Sequence, residues 1–196
     1  TSSAGKSSVD SKATLSERSA TYDVGSADSF KINSDSIGVY RVNYSPERLA
    51  KLGEQASTFS VEDRVGLVSD ASSLARAGYG KTSGSLSLIK ALGKTETEYL
   101  PWSQIGTGVG KMVQVWWEQP EAVRNAVDQL RIDLFKPIVG KLGYDHGADD
   151  APDVKELRTL AVSTCAAAGD SEVLAEIKRR FAPFLESGDD KLIHGD

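Results

Sequence analysis

The side chains able to do chemistry are few and scattered. Gly80-Lys81-Thr82 has the ending of a phosphate loop, in which backbone amides and a lysine cradle a polyphosphate. That loop needs a glycine five residues before Gly80. Ala75 stands there instead, and helical rather than strand periodicity precedes it, so the tripeptide reads as a turn between helices. Gly106-Thr107-Gly108-Val109-Gly110 has the glycines of a dinucleotide fingerprint but lies inside a helical pattern, without the strand that a βα turn requires. Small residues that let helices pack closely explain it better. Three glycines, each weakening a helix by about 1 kcal/mol relative to alanine, leave room for a kink or break.

The two histidines, His146 and His194, lie in a loop and in the tail, and both read as solvated. No His-Glu-x-x-His pair sets two imidazoles on one helix face, so nothing suggests a catalytic zinc site. Cys165 falls on an apolar stripe among alanines, where burial would raise its pKa and make it packing rather than a nucleophile. The acid pairs Glu62-Asp63 and Asp149-Asp150 read as helix-start residues and Asp189-Asp190 as a solvated tail. Asn43-Tyr44-Ser45 is a formal glycosylation sequon, discounted because Pro46 follows and no secretory signal is seen. Read from its residues, the chain has no self-contained active site.

The elements around these residues follow from composition and periodicity. The chain has 196 residues, 39% hydrophobic and 26% charged, enough for a packed core. Its net charge of −5 argues against a nucleic-acid partner, and no apolar run is long enough for a membrane span. The single cysteine precludes an internal disulfide, which fits a cytoplasmic setting. Met112 is the only methionine and the chain opens on Thr1, so it is expected to be a piece of a longer protein.

Residues 1–12 read as a disordered or appended tail, and 13–44 as a partial β-sandwich segment. The segment comprises a weak extended pattern over 13–24 with Leu15, Tyr22 and Val24, a turn at 25–28, and strands at Phe30-Lys31-Ile32-Asn33 and over 39–44. From Ser45 to residue 187 the signal is helical. Ser45-Pro46-Glu47 and Ser60-Val61-Glu62-Asp63 are N-terminal signatures. Asp150-Ala151-Pro152-Asp153 is another, and Gly78 is a stop. The expected stripes are Leu49, Leu52 and Ala56; Val61, Val65, Val68 and Ala75; then Leu86, Ile89 and Leu92. Trp102, Ile105, Val109, Met112 and Trp116 follow, then Val123, Val127, Leu130, Leu134 and Ile138. Val154, Leu157, Ala161 and Cys165 mark the next helix. Val173, Ile177, Phe181 and Phe184 or Leu185 mark the last, with Pro183 expected to end it early. Short links favour antiparallel neighbours, so 45–187 is expected to be a solenoid of the armadillo or HEAT type, with 188–196 a polar tail.

Several joined segments carry a resemblance. Gly38-Val39-Tyr40-Arg41-Val42-Asn43-Tyr44-Ser45 followed by Glu47 and Leu49 resembles the strand-to-helix passage of the zinc aminopeptidases of the gluzincin (M1) family. Glu62-Asp63-Arg64-Val65-Gly66-Leu67 through Asp70 and Leu74-Ala75-Arg76-Ala77-Gly78 resemble its next helix. Trp102 with Ile105 and Gly106, Phe135-Lys136-Pro137-Ile138, Leu142-Gly143-Tyr144-Asp145, Leu157-Arg158-Thr159-Leu160-Ala161, Ala168-Gly169-Asp170 and Lys178-Arg179-Arg180-Phe181 continue the series in family order. The flavour is that of cytosolic puromycin-sensitive and fungal members.

The resemblance implies a parent in which a zinc-bearing catalytic domain precedes a small β-sandwich and a helical bowl. This chain would be the end of the sandwich and the first part of the bowl, inactive alone, with no catalytic or metal-ligating residue and zinc only in the parent. Its expected partners are the missing catalytic domain, the parent's peptide substrate, and further copies paired through exposed strand edges. Lys111, just off the stripe that contains Trp102 and Trp116, is the one candidate to meet a peptide carboxylate. The rival reading is an independent helical-repeat module that holds a protein in a groove.

Overall fold

A computed structural model describes residues 16–22 and 30–189. Among them are seven α-helices and no strand. These are α1 (Pro46–Glu54), α2 (Val61–Arg76), α3 (Thr82–Leu92), α4 (Tyr99–Val115), α5 (Glu121–Leu142), α6 (Pro152–Ala167) and α7 (Ser171–Ser187). They fall into two compact units, one up to Gly108 and one from Val109.

Local signals set the helix ends. Ser45 Oγ accepts the Arg48 amide at 3.3 Å with Pro46 in the first turn, and Ser60 Oγ accepts the Asp63 amide at 3.2 Å. Asp170 caps α7 through the Val173 amide at 2.9 Å. Gly78, at φ 79°, turns the chain just beyond α2. Of the extended pattern expected over 13–24, residues 16–22 are described and are irregular rather than extended strand; the rest of it, the turn at 25–28 and residues 190–196 with His194 lie outside the described residues.

In the first unit α1 and α2 both pack on α3. Leu49, Leu52, Leu67, Val68, Leu88, Ile89 and Leu92 are buried, each such side chain contributing about 1.5–3 kcal/mol. The α1–α3 crossing is close because Gly53 and Gly84 lack side chains. A Cβ on Gly53 would lie 2.8 Å from Ala91 Cβ, and one on Gly84 3.2 Å from Pro46 Cα. Gly108 plays the expected small-residue part, its missing Cβ only 3.1 Å from Ser72 Oγ, and α4 runs through its glycines unbroken. The buried face of α2 is rotated from the expected one: Asp63, Leu67, Val68, Ala71 and Ser72 are inside, while Val61, Val65 and Ala75 are half-exposed. Pairs of buried small hydroxyls, such as Ser72 and Ser85 with oxygens 3.3 Å apart, do not register in an apolar count.

The strands expected at 30–33 and 39–44 are not formed. The alternation there is real, but a strand exists only by pairing, and no ladder partner lies among the described residues. The segment is irregular, with one 3-10 turn (Ser34–Ser36), and finds its hydrogen bonds on α2.

In the second unit α5 packs on α6, and α6 on α7. Val127, Leu130, Phe135, Ile138, Val139, Leu157, Ala161, Cys165 and Val173 fill its core. Pro183 does not end α7 early. The helix continues to Ser187, whose hydroxyl donates to the Pro183 carbonyl at 2.7 Å, and Gly188 at φ 69° closes it. A proline removes one ladder bond, and an established helix propagates past it more readily than a new one nucleates. Pro137 inside α5 is tolerated in the same way, between the buried Phe135 and Ile138.

Candidate functional site

Lys111 projects from the last turns of α4, is half-buried, and makes no ion pair among the described residues. The exposed large apolar side chains of the same stretch are Val113, Val115 and Trp117. The Trp102, Ile105 and Val109 part of the expected stripe is buried, whereas Met112 and Trp116 are half-buried.

A depression of about 640 Å³ lies in the second unit, between α5 and the turn into α7. Its charges answer one another. Lys136 Nζ is 2.8 Å from both Asp170 and Glu172, and those hydrogen bonds raise the ammonium's pKa. Gln129 donates to Asp133 at 2.8 Å, and Asp170 also caps α7. The lining lysine is thus already held by two acids and is not free to meet an anionic ligand.

The other candidates resolve by placement. Lys81 is the exposed residue at the start of α3, so Gly80-Lys81-Thr82 is a turn between helices. Asn43 donates its side-chain amide to the Tyr79 carbonyl at 2.8 Å. His146 is half-buried in the loop before α6 rather than fully solvated, because that loop folds back on the unit. Of the acid pairs, Glu62 serves the first turn of α2, but Asp63 is fully buried and Asp150 caps no helix. Asp150 instead accepts the Gly147 amide at 2.7 Å and Arg158 at 2.6 Å, while Ala151 occupies the α6 cap. Among the described residues no three His, Cys, Asp or Glu side chains are placed to hold a metal ion, so they do not fit a zinc site. No described helix is long and apolar enough to cross a membrane.

Cys165 is wholly buried, and burial pushes its thiol up to about 11. The native thiol is therefore expected to stay unreactive toward an aromatic disulfide reagent at pH 8, and to react once in denaturant. One equivalent released within seconds from the folded chain would contradict this placement.

Sequence reasoning missed the charge pairs, two of them buried. Lys31 Nζ meets Asp63 Oδ1 at 2.5 Å with side-chain exposures of 8% and 0%. Arg64 forks onto Glu96 at 2.7 and 3.2 Å. In the second unit Arg180 reaches Asp145 and Glu176 and lies 5.1 Å over the Tyr144 ring. Arg179 and Arg180 together hold the Glu176 carboxyl down at about 2. The partners of the first two pairs are 32 residues apart, a separation that no periodicity signals.

Comparison with known proteins places this architecture. A family model described as the ERAP1-like C-terminal domain matches residues 29–196. Among curated proteins, "Aminopeptidase 2" of Candida albicans is 39% identical over 189 residues, covering 95% of this chain and 20% of that protein. "Alanine/arginine aminopeptidase" of Saccharomyces cerevisiae is 36% identical over 165 residues, covering 84% of this chain and 19% of that protein. "Puromycin-sensitive aminopeptidase" of Caenorhabditis elegans is 32% identical over 160 residues, covering 81% and 17%. The chain spans about a fifth of the length of the curated relatives it matches.

Proposed function

The chain belongs to the family of ERAP1-like C-terminal domains, and from that premise we propose that it is the non-catalytic helical part of a zinc-dependent aminopeptidase. The observation that carries this reading is the family match over residues 29–196 together with relatives whose names are aminopeptidases. In this reading the hydrolytic zinc is held by the catalytic domain of a cytoplasmic parent. The helical hairpins form an armadillo- or HEAT-like wall that limits substrate size and excludes water from the reacting bond. Lys111, half-buried and without an ion pair among the described residues, supplies a positive charge to the carboxylate of a bound peptide.

Two assays test this. The purified chain is expected to leave leucine anilide intact; hydrolysis abolished by a chelator would overturn the non-catalytic assignment. In the parent enzyme, Lys111→Ala should raise KM for a dipeptide relative to that for an anilide lacking a carboxylate by about 10-fold or more, the worth of one charge-assisted hydrogen bond. An unchanged ratio would remove Lys111 from the substrate chamber.

A further inference from the structure

We propose that the depression beside α5 is a docking site for an arginine side chain presented by a partner polypeptide. One face of α5 forms its wall, with Gln129, Ile132, Asp133, Lys136 and Pro137 together at helical spacing, and the turn 169–171 into α7 closes it. Its volume of about 640 Å³ suits a small group with part of its backbone, since clefts for small ligands run roughly 300–1,000 Å³. The site belongs to the second unit alone and is independent of the aminopeptidase reading.

Donors and acceptors decide what the cleft can take. The donors that would favour an anion are spent. Lys136 Nζ is committed to Asp170 and Glu172, each at 2.8 Å. Asp170, 6% exposed, already accepts the Val173 amide in the first turn of α7 at 2.9 Å. The acceptors are spare. Asp133 is exposed, and only one of its carboxylate oxygens is engaged, by Gln129 Nε2 at 2.8 Å; the other has no hydrogen-bond partner among the described residues. With Nε2 donating, Gln129 keeps its Oε1 as a further acceptor. Pro137 adds one from the backbone: it has no amide hydrogen, so the Asp133 carbonyl one turn earlier loses its ladder donor. Charge points the same way, because Asp133, Asp170 and Glu172 stand against the single Lys136. The cation that fits is organic, since among the described residues no three His, Cys, Asp or Glu side chains are placed to hold a metal ion. A guanidinium suits the site better than an ammonium. Its flat fork can meet the Asp133 carboxylate through two N–H groups, and its stem and face can lie on half-buried Ile132 and exposed Pro137.

Amide chemical shifts of this chain test the site without reference to any enzyme activity. Titration with an acetylated Ala-Arg-Ala amide should move the backbone amides of Gly169 and Ser171 and the side-chain amide of Gln129 along one saturable curve. The core amides of Leu157 and Ala161 should stay in place. The same peptide with citrulline for arginine keeps the shape and loses the charge, and should bind about 10-fold or more weakly, the worth of one charge-assisted hydrogen bond. Asp133→Asn should weaken binding of the arginine peptide by a similar factor, and added salt should weaken it further because the site is open to solvent. Absence of saturation by about 10 mM peptide, a free energy too small for a specific contact, would overturn the assignment. So would equal binding of the citrulline peptide, unchanged binding by Asp133→Asn, or shifts confined to another part of the chain. The citrulline comparison uses the wild-type chain, so it gives an answer even where the asparagine variant does not fold.

Discussion

Replacing Trp102 with alanine is expected to destabilise the chain by about 3–5 kcal/mol, the usual range for emptying a large aromatic site in a core. Trp102 is 2% exposed, and its indole donates to the Glu96 carbonyl at 3.3 Å. Glu96 is itself a junction: its carboxylate takes the Arg64 fork and accepts the amides of Thr97 and Glu98 as the chain turns into α4. The side chain therefore fills the core and also braces the turn that orients α4. Against a typical total of 5–15 kcal/mol, such a loss leaves a substantial unfolded fraction at 37 °C. Trp102→Phe keeps most of the volume and gives up the N–H, so it should fall well short of the alanine variant. Urea unfolding followed by far-UV dichroism measures both. A loss below about 1 kcal/mol for Trp102→Ala would mean that the site collapses freely and that the stripe is not a core stripe.

The sequence made the helices legible because their signals are local. Ser45 with Pro46, Ser60 and Gly78 act within three or four residues of themselves, and each stands where its chemistry placed it. Pro183 and the segment 30–44 were harder for opposite reasons. Pro183 carries a strong local signal that the established helix overrides. The alternation over 39–44 is a strong local signal that requires a non-local partner, and Asp70 takes the Val42 amide that a ladder would have used. Asp63 shows the limit most clearly. An acid at the third position of a helix reads as a dipole partner, and nothing adjacent reveals that a lysine 32 residues earlier will cover it. The candidate site divides in the same way: the aminopeptidase resemblance was readable from joined segments, whereas the environment of Lys111 depends on how α4 is covered.

Arg158→Ala is expected to be the most damaging single change in the second unit, at about 3–5 kcal/mol, because it removes one partner of a buried charge arrangement. The guanidinium is 5% exposed on α6, with Nε donating to the Leu142 carbonyl at 3.1 Å and a terminal nitrogen 2.6 Å from Asp150. It thus satisfies a carbonyl at the end of α5 and pins the loop 143–150 that joins α5 to α6. Its other terminal nitrogen is buried without a hydrogen-bond partner, so the arginine's own burial is incompletely compensated. That asymmetry predicts an order of effects. Arg158→Met fills the volume and ends the incomplete desolvation, and should be much milder than alanine, leaving mainly the Leu142 carbonyl unsatisfied. The pH dependence follows from Asp150, whose pKa is lowered by the Gly147 amide first and by Arg158 next. A depressed folded-state pKa gives stability that is present above the unfolded carboxylate's value, about 3.9, and is lost as pH falls through the lower folded value. Part of the wild type's stability should therefore disappear between pH 5 and pH 2.5, and Arg158→Met should lose less over the same interval. Denaturation midpoints of the two proteins at pH 7 and pH 3 decide the matter. If both lose the same amount, the Arg158 contact to Asp150 contributes nothing and only the packing of the side chain holds the loop.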